Sequence, residues 1–577
     1  MLVMLVAWSF LAAVTLPLGM FVMVCTGNPS PTTAHAVWVG LAVQILVLHL
    51  LALIAPLYPA AWVLMPTIGA LAAVATHREL AVVVHQWRHV VAVRLGAIAI
   101  LSLVIAYIAA GPITLYDSGL YHIQWIRWLA RSGIVPGLGL LEQRFGIPSD
   151  WFAFAAALDA GALQGRMAAC ANAYLVLLVT IQAAFCCARV VSGRGVPGDV
   201  LLTAGFSLLS FHAVLTDTIV SASPDLPVGV LTVVVGWLMA QDDVTAGAER
   251  SRCVLIVFLA SMTVALKLSA APMLVIAMLY CMWRLRRQSA ALLILVATSA
   301  VAIAPTVWAS VVLSGCPAFP MTVGCLDLPW TVPVEVANAV QEGVANFGRW
   351  YASPPTGTGP YDWIIPYFFH PGNTLNPPLV ALAVLSTVVV LVTTGGARTS
   401  RLWILALALS NFVFVMIMGP DTRFCIGAIA LLFGLALTTV ESSLAFLSSF
   451  RAAGSVGPFL FAMLGAVGLL VFRVAIIDRT DVRRWEQQSY GHLFPFDLHR
   501  SILDRFVLPV PLPVIYGVTR ANDGHIVSLE KGLSGDVVYG KPPFFQCWGT
   551  NELCSAGIVA PLHFRVPSRG VAGGFIR

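Results

Sequence analysis

Tyr116-Asp117-Ser118-Gly119-Leu120-Tyr121-His122 sets a carboxylate, a hydroxyl, two phenols and an imidazole between apolar stretches of the chain. Around it the sequence is 59% hydrophobic and 10% charged, with mean hydropathy +0.89. A soluble protein carries roughly 25% charged residues. The chain therefore reads as an all-α polytopic membrane protein. Ionisable groups at a membrane boundary are costly to desolvate, which makes this heptapeptide a functional suspect.

Working outward, apolar runs separated by charged or Gly/Pro breaks give about fourteen helices. They cover 3–25, 36–56, 60–76, 94–111, 166–188, 199–220, 225–240, 253–268, 271–283, 289–313, 379–397, 402–418, 422–440 and 456–477. The first has no positive leader segment before it and reads as a transmembrane helix. The pair around Lys267 also reads as one broken helix plus a hairpin. Arg78, Arg88 and Arg94, then Arg189 and Arg194, Arg250 and Arg252, Arg284, Arg286 and Arg287, Arg398 and Arg401, and Arg451 all fall in loops on one side. By the positive-inside rule that side is cytoplasmic. The net charge of +6 is too small to suggest nucleic acid.

This orientation divides the chain into N-terminal membrane helices (1–111), an extracytoplasmic loop (112–165) and central helices (166–313). A second such loop (314–378), C-terminal helices (379–477) and an extracytoplasmic domain (478–577) follow. In the first loop Asp117 stands where it would cap a helix running to about Arg131. Gln124, Arg127 and Arg131 repeat at helical spacing as a polar stripe, and Trp125 and Trp128 suit a membrane interface. After a Gly/Pro break, Ser149 heads a second helix from Trp151 to Leu158. Two helices lying on the membrane surface are expected. The last domain has short strand-like runs, Val514–Val518 and Ile526–Leu529, and reads as mixed or mostly β. Of eleven cysteines, Cys316 with Cys325 and Cys547 with Cys554 fall in external segments as disulfide candidates.

Four further clusters share the external side. Asp225 lies between Pro224 and Pro227 at a helix start, where the macrodipole alone would favour a carboxylate. Asp217 and His212 precede it inside an apolar stretch. Lys267, the only lysine outside the C-terminal domain, must meet a carboxylate, a phosphate or water. Arg423, in Gly419-Pro420-Asp421-Thr422-Arg423-Phe424, sits where a helix dipole disfavours a cation, which hints at an anionic partner; a plain Asp421–Arg423 pair is the bland alternative. Ser314–Pro320 with Asp327 and Trp330 reads as a rigid wall. Asp117 itself is either a helix cap or a carboxylate that takes a proton or holds a metal ion; a divalent metal stays open. His122 either orients it or simply packs. No nucleotide-binding or hydrolase signature is present.

These motifs, from Asp117 through Ile134-Val-Pro-Gly-Leu-Gly139, Ser149-Asp-Trp-Phe152, Ser-Pro-Asp225, Lys267-Leu-Ser269, Asp327-Leu-Pro-Trp330 and Pro420-Asp421-Thr-Arg423-Phe424 to Gln546-Cys547-Trp548, Leu553-Cys554 and Gly574-Phe575, resemble a family of bacterial polytopic membrane proteins. That family is similar in architecture to the C-type (GT-C) glycosyltransferases. The resemblance implies a multi-pass enzyme of the bacterial cytoplasmic membrane with its active site on the outer face. Its donor would be a sugar on a polyprenyl phosphate, and its acceptor a cell-envelope glycan or lipid. Asp117 would take the catalytic position with His122 beside it. Tyr121, Arg127, Asp225, Lys267, Asp421 and Arg423 would bind substrate. The chain departs from GT-C enzymes in having no acid next to Asp117 and about four helices before the loop. A carrier or flippase for a lipid-linked glycan, and a glycan polymerase or ligase, are the competing readings.

Overall fold

The structure is a computed structural model. It describes residues 1–27, 32–88, 92–111, 113, 115–241, 246–350, 354–370, 373–393 and 399–439. In the last part of the chain it describes 506–509, 518–520, 526–532, 537–540, 547, 553–555 and 562–577.

The chain opens with α1 (Leu2–Cys25), α2 (Thr33–Ile54), α3 (Ala60–Ala75), α4 (His77–Arg88) and α5 (Ala92–Ala109). The following stretch holds α6 (Ile123–Ser132), α7 (Leu138–Leu141) and α8 (Asp150–Leu158). The central helices are α9 (Cys170–Val191), α10 (Pro197–Leu215), α11 (Asp225–Met239), α12 (Ala246–Leu266), α13 (Ala271–Arg284) and α14 (Ser289–Ser314). Then come α15 (Val334–Trp350), α16 (Ile364–Phe369), α17 (Asn376–Thr393), α18 (Thr399–Met418) and α19 (Ile426–Thr439). Thirteen of the fourteen expected spans fall on helices, and 456–477 lies outside the described residues.

Far fewer are long enough to cross a bilayer alone. Eight described helices have the length and hydropathy, or nine if the bent pair α3–α4 counts as one. The shortfall has a physical cause. At 1.5 Å per residue the 15-residue α11 reaches only about 22 Å. The backbone breaks at Lys267, so α12 and α13 pack as a hairpin around it. Broken helices leave unpaired backbone ends, which a membrane tolerates only where protein or a polar cavity meets them.

Helix contacts are close where side chains are absent. A Cβ on Gly427 of α19 would meet the Gly229 carbonyl oxygen of α11 at 2.7 Å, closer than real Cβ contacts. Small residues at such a crossing let backbones touch, the usual device of membrane helices. The consequence is positional: Gly229 and Gly427 each sit one turn beyond Asp225 and Arg423, so the crossing brings those two helix starts together.

The last hundred residues add strands β1 (Val518–Arg520), β2 (Ile526–Gly532), β3 (Val537–Gly540) and β4 (Leu553–Ser555), ordered β1-β2-β3-β4. The β3–β4 pairing is parallel and the others antiparallel. A separate antiparallel pair joins β5 (His563–Phe564) to β6 (Phe575–Ile576). The expected strand run 514–517 lies outside the described residues. This tail is tied to the helical body. The Phe575 N–H donates to the Pro136 carbonyl at 2.9 Å, the Phe575 ring packs edge-on to Trp128, and the Ser555 hydroxyl donates to the Leu141 carbonyl at 3.1 Å. Cys316 is bonded to Cys325 and Cys547 to Cys554.

One expectation is corrected. α6 and α8 do not lie with a face on the membrane surface: protein covers every residue from Ile123 to Ala130 and from Asp150 to Ala157. Trp125 and Trp128 are core residues rather than interfacial anchors. Of the polar stripe of α6, Gln124 and Arg127 are buried and Arg131 is exposed. Gln124 bonds the tail, and the Arg131 guanidinium donates to Gln164 at 3.1 Å.

Candidate functional site

Asp117 occupies the turn before a short π-helix, Ser118–His122, and its side chain makes no capping hydrogen bond. The carboxylate instead accepts from Nη1 of Arg423 at 2.8 Å, a contact across 306 positions of sequence. A π-turn inserts an extra residue per turn and is found disproportionately at functional sites. Here Asp117 meets Arg423 in the turn before α19, while Ser118, Gly119 and His122 are buried.

Arg423 is the hub. Its Nε lies 3.5 Å from the Asp225 carboxylate and 3.7 Å from that of Asp421. Asp421 also caps the turn Thr422–Cys425, accepting from the Arg423 backbone N–H at 2.9 Å. That cap resolves the conflict of a cation at a helix start: the arginine is surrounded by carboxylates that outweigh the dipole. Asp225, at the first residue of α11, is bonded to the ammonium of Lys267 and accepts from the Ser223 hydroxyl at 3.1 Å. The Lys267 Nζ stands 3.6 Å from the centre of the Phe424 ring, and the Arg423 guanidinium carbon 4.9 Å from it. A desolvated cation over an aromatic face gains about 2 kcal/mol.

The surrounding shell fixes these groups. Asn411 of α18 donates to the Ser269 carbonyl at 2.8 Å, holding the Lys267 break. Asn376, which begins α17, accepts from the Thr422 N–H at 3.0 Å and so pins the turn carrying Arg423. Tyr121 and His122 stack edge to face at 4.4 Å, and Phe152 of α8 lies 5.3 Å from the imidazole.

Electrostatics follow from this packing. Burial alone would raise the Asp117 carboxyl, but the Arg423 guanidinium overrides it and holds the group below its usual range. Burial pulls His122 down to about 4, against the opposing pull of Asp117, so the imidazole is neutral near pH 7. Burial, reinforced by Asp117, pushes the Tyr121 phenol well up, leaving it a proton donor. With Asp117, Asp225 and Asp421 against Lys267 and Arg423, the cluster carries one formal negative charge more than positive.

The structure thus joins Asp117, Asp225, Lys267, Asp421 and Arg423 in one network, with Tyr121 and His122 on the adjoining turn. No hydrogen bond links His122 to Asp117, and the imidazole Nδ1 is buried without a partner among the described residues. Arg127 is not in the network. It is buried on α6, where burial lowers it to about 10 while the Asp159 carboxylate opposes the shift. Asp217 forms a left-handed turn (φ 58°) after α10, and Asp327 is exposed. Phe424 and Ser223 belong to the site although sequence reasoning gave them no role; each sits one or two positions from a charged residue it supports. Among the described residues, no group of three or more His, Cys, Asp or Glu side chains is arranged to hold a metal ion. Asp117, Asp225 and Asp421 each face a cation of the chain.

Residues 1–430 match the family model of a domain of unknown function, DUF8201. The chain belongs to this family. Every member of the charged network lies inside the DUF8201 match, whereas the Cys547–Cys554 loop lies beyond it. No curated protein matches the sequence. Among solved structures, the DUF8201 chain is similar to arabinosyltransferase EmbB from Mycobacterium smegmatis, with 13% identity and a TM-score of 0.39. The alignment covers 70% of this chain and 42% of EmbB, so the chain spans less than half the length of that enzyme.

Proposed function

We propose that this protein is a membrane glycosyltransferase that moves a sugar from a polyprenyl phosphate to a cell-envelope glycan or lipid on the outer face of the cytoplasmic membrane. One observation carries the reading: Asp117 is an ionised carboxylate with no capping duty, paired with Arg423 in a charged cluster where several broken helices end. The loop arginines support the outer placement by the positive-inside rule.

In this mechanism Asp117 accepts the proton of the acceptor hydroxyl as its oxygen forms a bond to the anomeric carbon. The bond from that carbon to the phosphate oxygen breaks, and the electron pair leaves with the lipid phosphate. Arg423 spends Nη1 on Asp117, its Nε lies 3.5 Å from Asp225 without a hydrogen-bond partner among the described residues, and Lys267 has three N–H groups of which Asp225 takes one direction. The remaining N–H groups meet the leaving phosphate, where charge builds in the transition state. Asp225 and Asp421 keep both cations in place between turnovers. Tyr121, a protonated phenol, donates to a sugar or phosphate oxygen. Neutral His122 packs beside Asp117 and keeps its surroundings dry.

The test is glycan analysis of a deletion strain complemented with the wild-type protein or with Asp117→Asn, paired with transfer assays in membranes. Transfer should vanish in the variant while the protein accumulates normally, because Arg423 retains Asp225 and Asp421. Wild-type transfer by Asp117→Asn rejects the assignment. A carrier without chemistry would instead give glycan translocation with no new glycosidic bond.

A further inference from the structure

The π-turn that carries Asp117 is held from behind by the far end of the chain. The Cys547 backbone N–H donates to the Gly119 carbonyl at 2.7 Å. On the next helix, the Gln124 side chain donates from Nε2 to the Cys547 carbonyl at 3.3 Å and accepts at Oε1 from the Cys554 N–H at 3.2 Å. One buried amide thus bridges both halves of the Cys547–Cys554 disulfide, and both sulfurs are buried. Neighbouring Ser555 bonds the Leu141 carbonyl.

These contacts have a specific geometric effect. The Gly119 carbonyl lies inside the π-turn, and the tail donates to it directly. The Cys547 carbonyl and the Cys554 N–H stay in the arrangement Gln124 needs only while the two residues are tied together. Without the bond the loop gains conformational freedom, and the three contacts must then be made at an entropic cost.

We propose that Gln124 and the Cys547–Cys554 loop are positioning elements, which hold the Ser118–His122 turn so that Asp117 meets Arg423. Gln124 touches no reacting atom; it acts through Gly119 and the disulfide loop. Reducing the disulfide therefore loosens a loop more than 400 positions away in sequence. The inference rests on the glycosyltransferase reading only for its effect on transfer, not for its effect on the turn.

The experiment uses the full-length protein in lipid nanodiscs. Amide hydrogen exchange of residues 118–123 is measured in wild type, in Gln124→Ala, in Gln124→Glu, and in wild type reduced and then reoxidised. Cys316→Ser/Cys325→Ser, which opens the other disulfide, serves as the control. Exchange at the turn should rise in Gln124→Ala and in the reduced protein, return on reoxidation, and stay at the wild-type level in the control. Gln124→Glu keeps the acceptor for the Cys554 N–H and should fall between. The same variants should lose transfer by roughly 100-fold, mostly in kcat with little change in donor KM, as expected for a displaced catalytic group. Unchanged exchange at 118–123 in both Gln124→Ala and the reduced protein overturns the proposal, whatever happens to transfer. Raised exchange in a protein whose wild type makes no glycosidic bond leaves the clamp standing and rejects the glycosyltransferase reading instead.

Discussion

Asp117 and Asp150 lie 33 positions apart on the same stretch of chain, and their surroundings drive them to opposite states. Asp117 is half-buried, and a guanidinium 2.8 Å away holds it ionised. Asp150 begins α8 in the dry core, with the Thr306 hydroxyl donating at 2.9 Å and the His49 Nδ1 lying 3.1 Å away without a hydrogen bond to it. Burial pushes its carboxyl well above the usual range, because the Thr306 hydrogen bond is too weak to compensate desolvation. Both residues sit at helix starts, so position along a helix does not separate them. A full cation within reach does.

The comparison breaks most sharply at Asp117→Asn, for which transfer should fall by at least roughly 100-fold, the usual worth of a positioned general base. Arg423→Lys comes next. It keeps a positive charge but loses the planar fork that spans Asp117 and Asp225, and transfer should drop by roughly 100-fold in assays with membranes of matched protein content. Acidification should have a smaller effect. Asp117 and His122 both have depressed values in the fold, so the productive pair, carboxylate and neutral imidazole, exists at neutral pH and is lost as pH falls toward about 4. The rate profile should be flat from about pH 5 to pH 8 on the protein side. Thermal unfolding should show the linked trend: the unfolded chain takes the His122 proton near 6.5, so this contribution to stability declines as pH drops below that value. The smallest effect belongs to Asp150→Asn. It swaps a protonated carboxyl for a neutral amide, and should leave transfer at the wild-type level and stability within about 1 kcal/mol. A large loss of transfer in that variant would mean that Asp150 is ionised and the contrast false.

The membrane helices were legible because an apolar run of spanning length has few other uses, and the runs coincide with the helices wherever the chain is described. What composition leaves out is where helices stop short. The breaks at Asp225, Lys267 and Arg423 are visible only as isolated polar residues. Their mutual contacts depend on the Gly229–Gly427 crossing, which no local pattern announces. The surface-helix reading of α6 failed for a related reason. A stripe of Gln124, Arg127 and Arg131 has the same periodicity whether it faces water or another part of the protein. In this chain it meets the tail, the Asp159 region and Gln164. Asp117 stood out for its residue type alone; that it pairs with Arg423 rather than capping its own helix is a fact of packing.

The bonds from Cys547 and Cys554 to Gly119 and Gln124 also impose an order in time. A ribosome has finished the turn bearing Asp117 long before it reaches the cysteines that brace it. A nascent or prematurely terminated chain would carry Asp117, Asp225, Lys267, Asp421 and Arg423 and still lack the brace, so competence should arrive only once Cys547 and Cys554 are translated and joined.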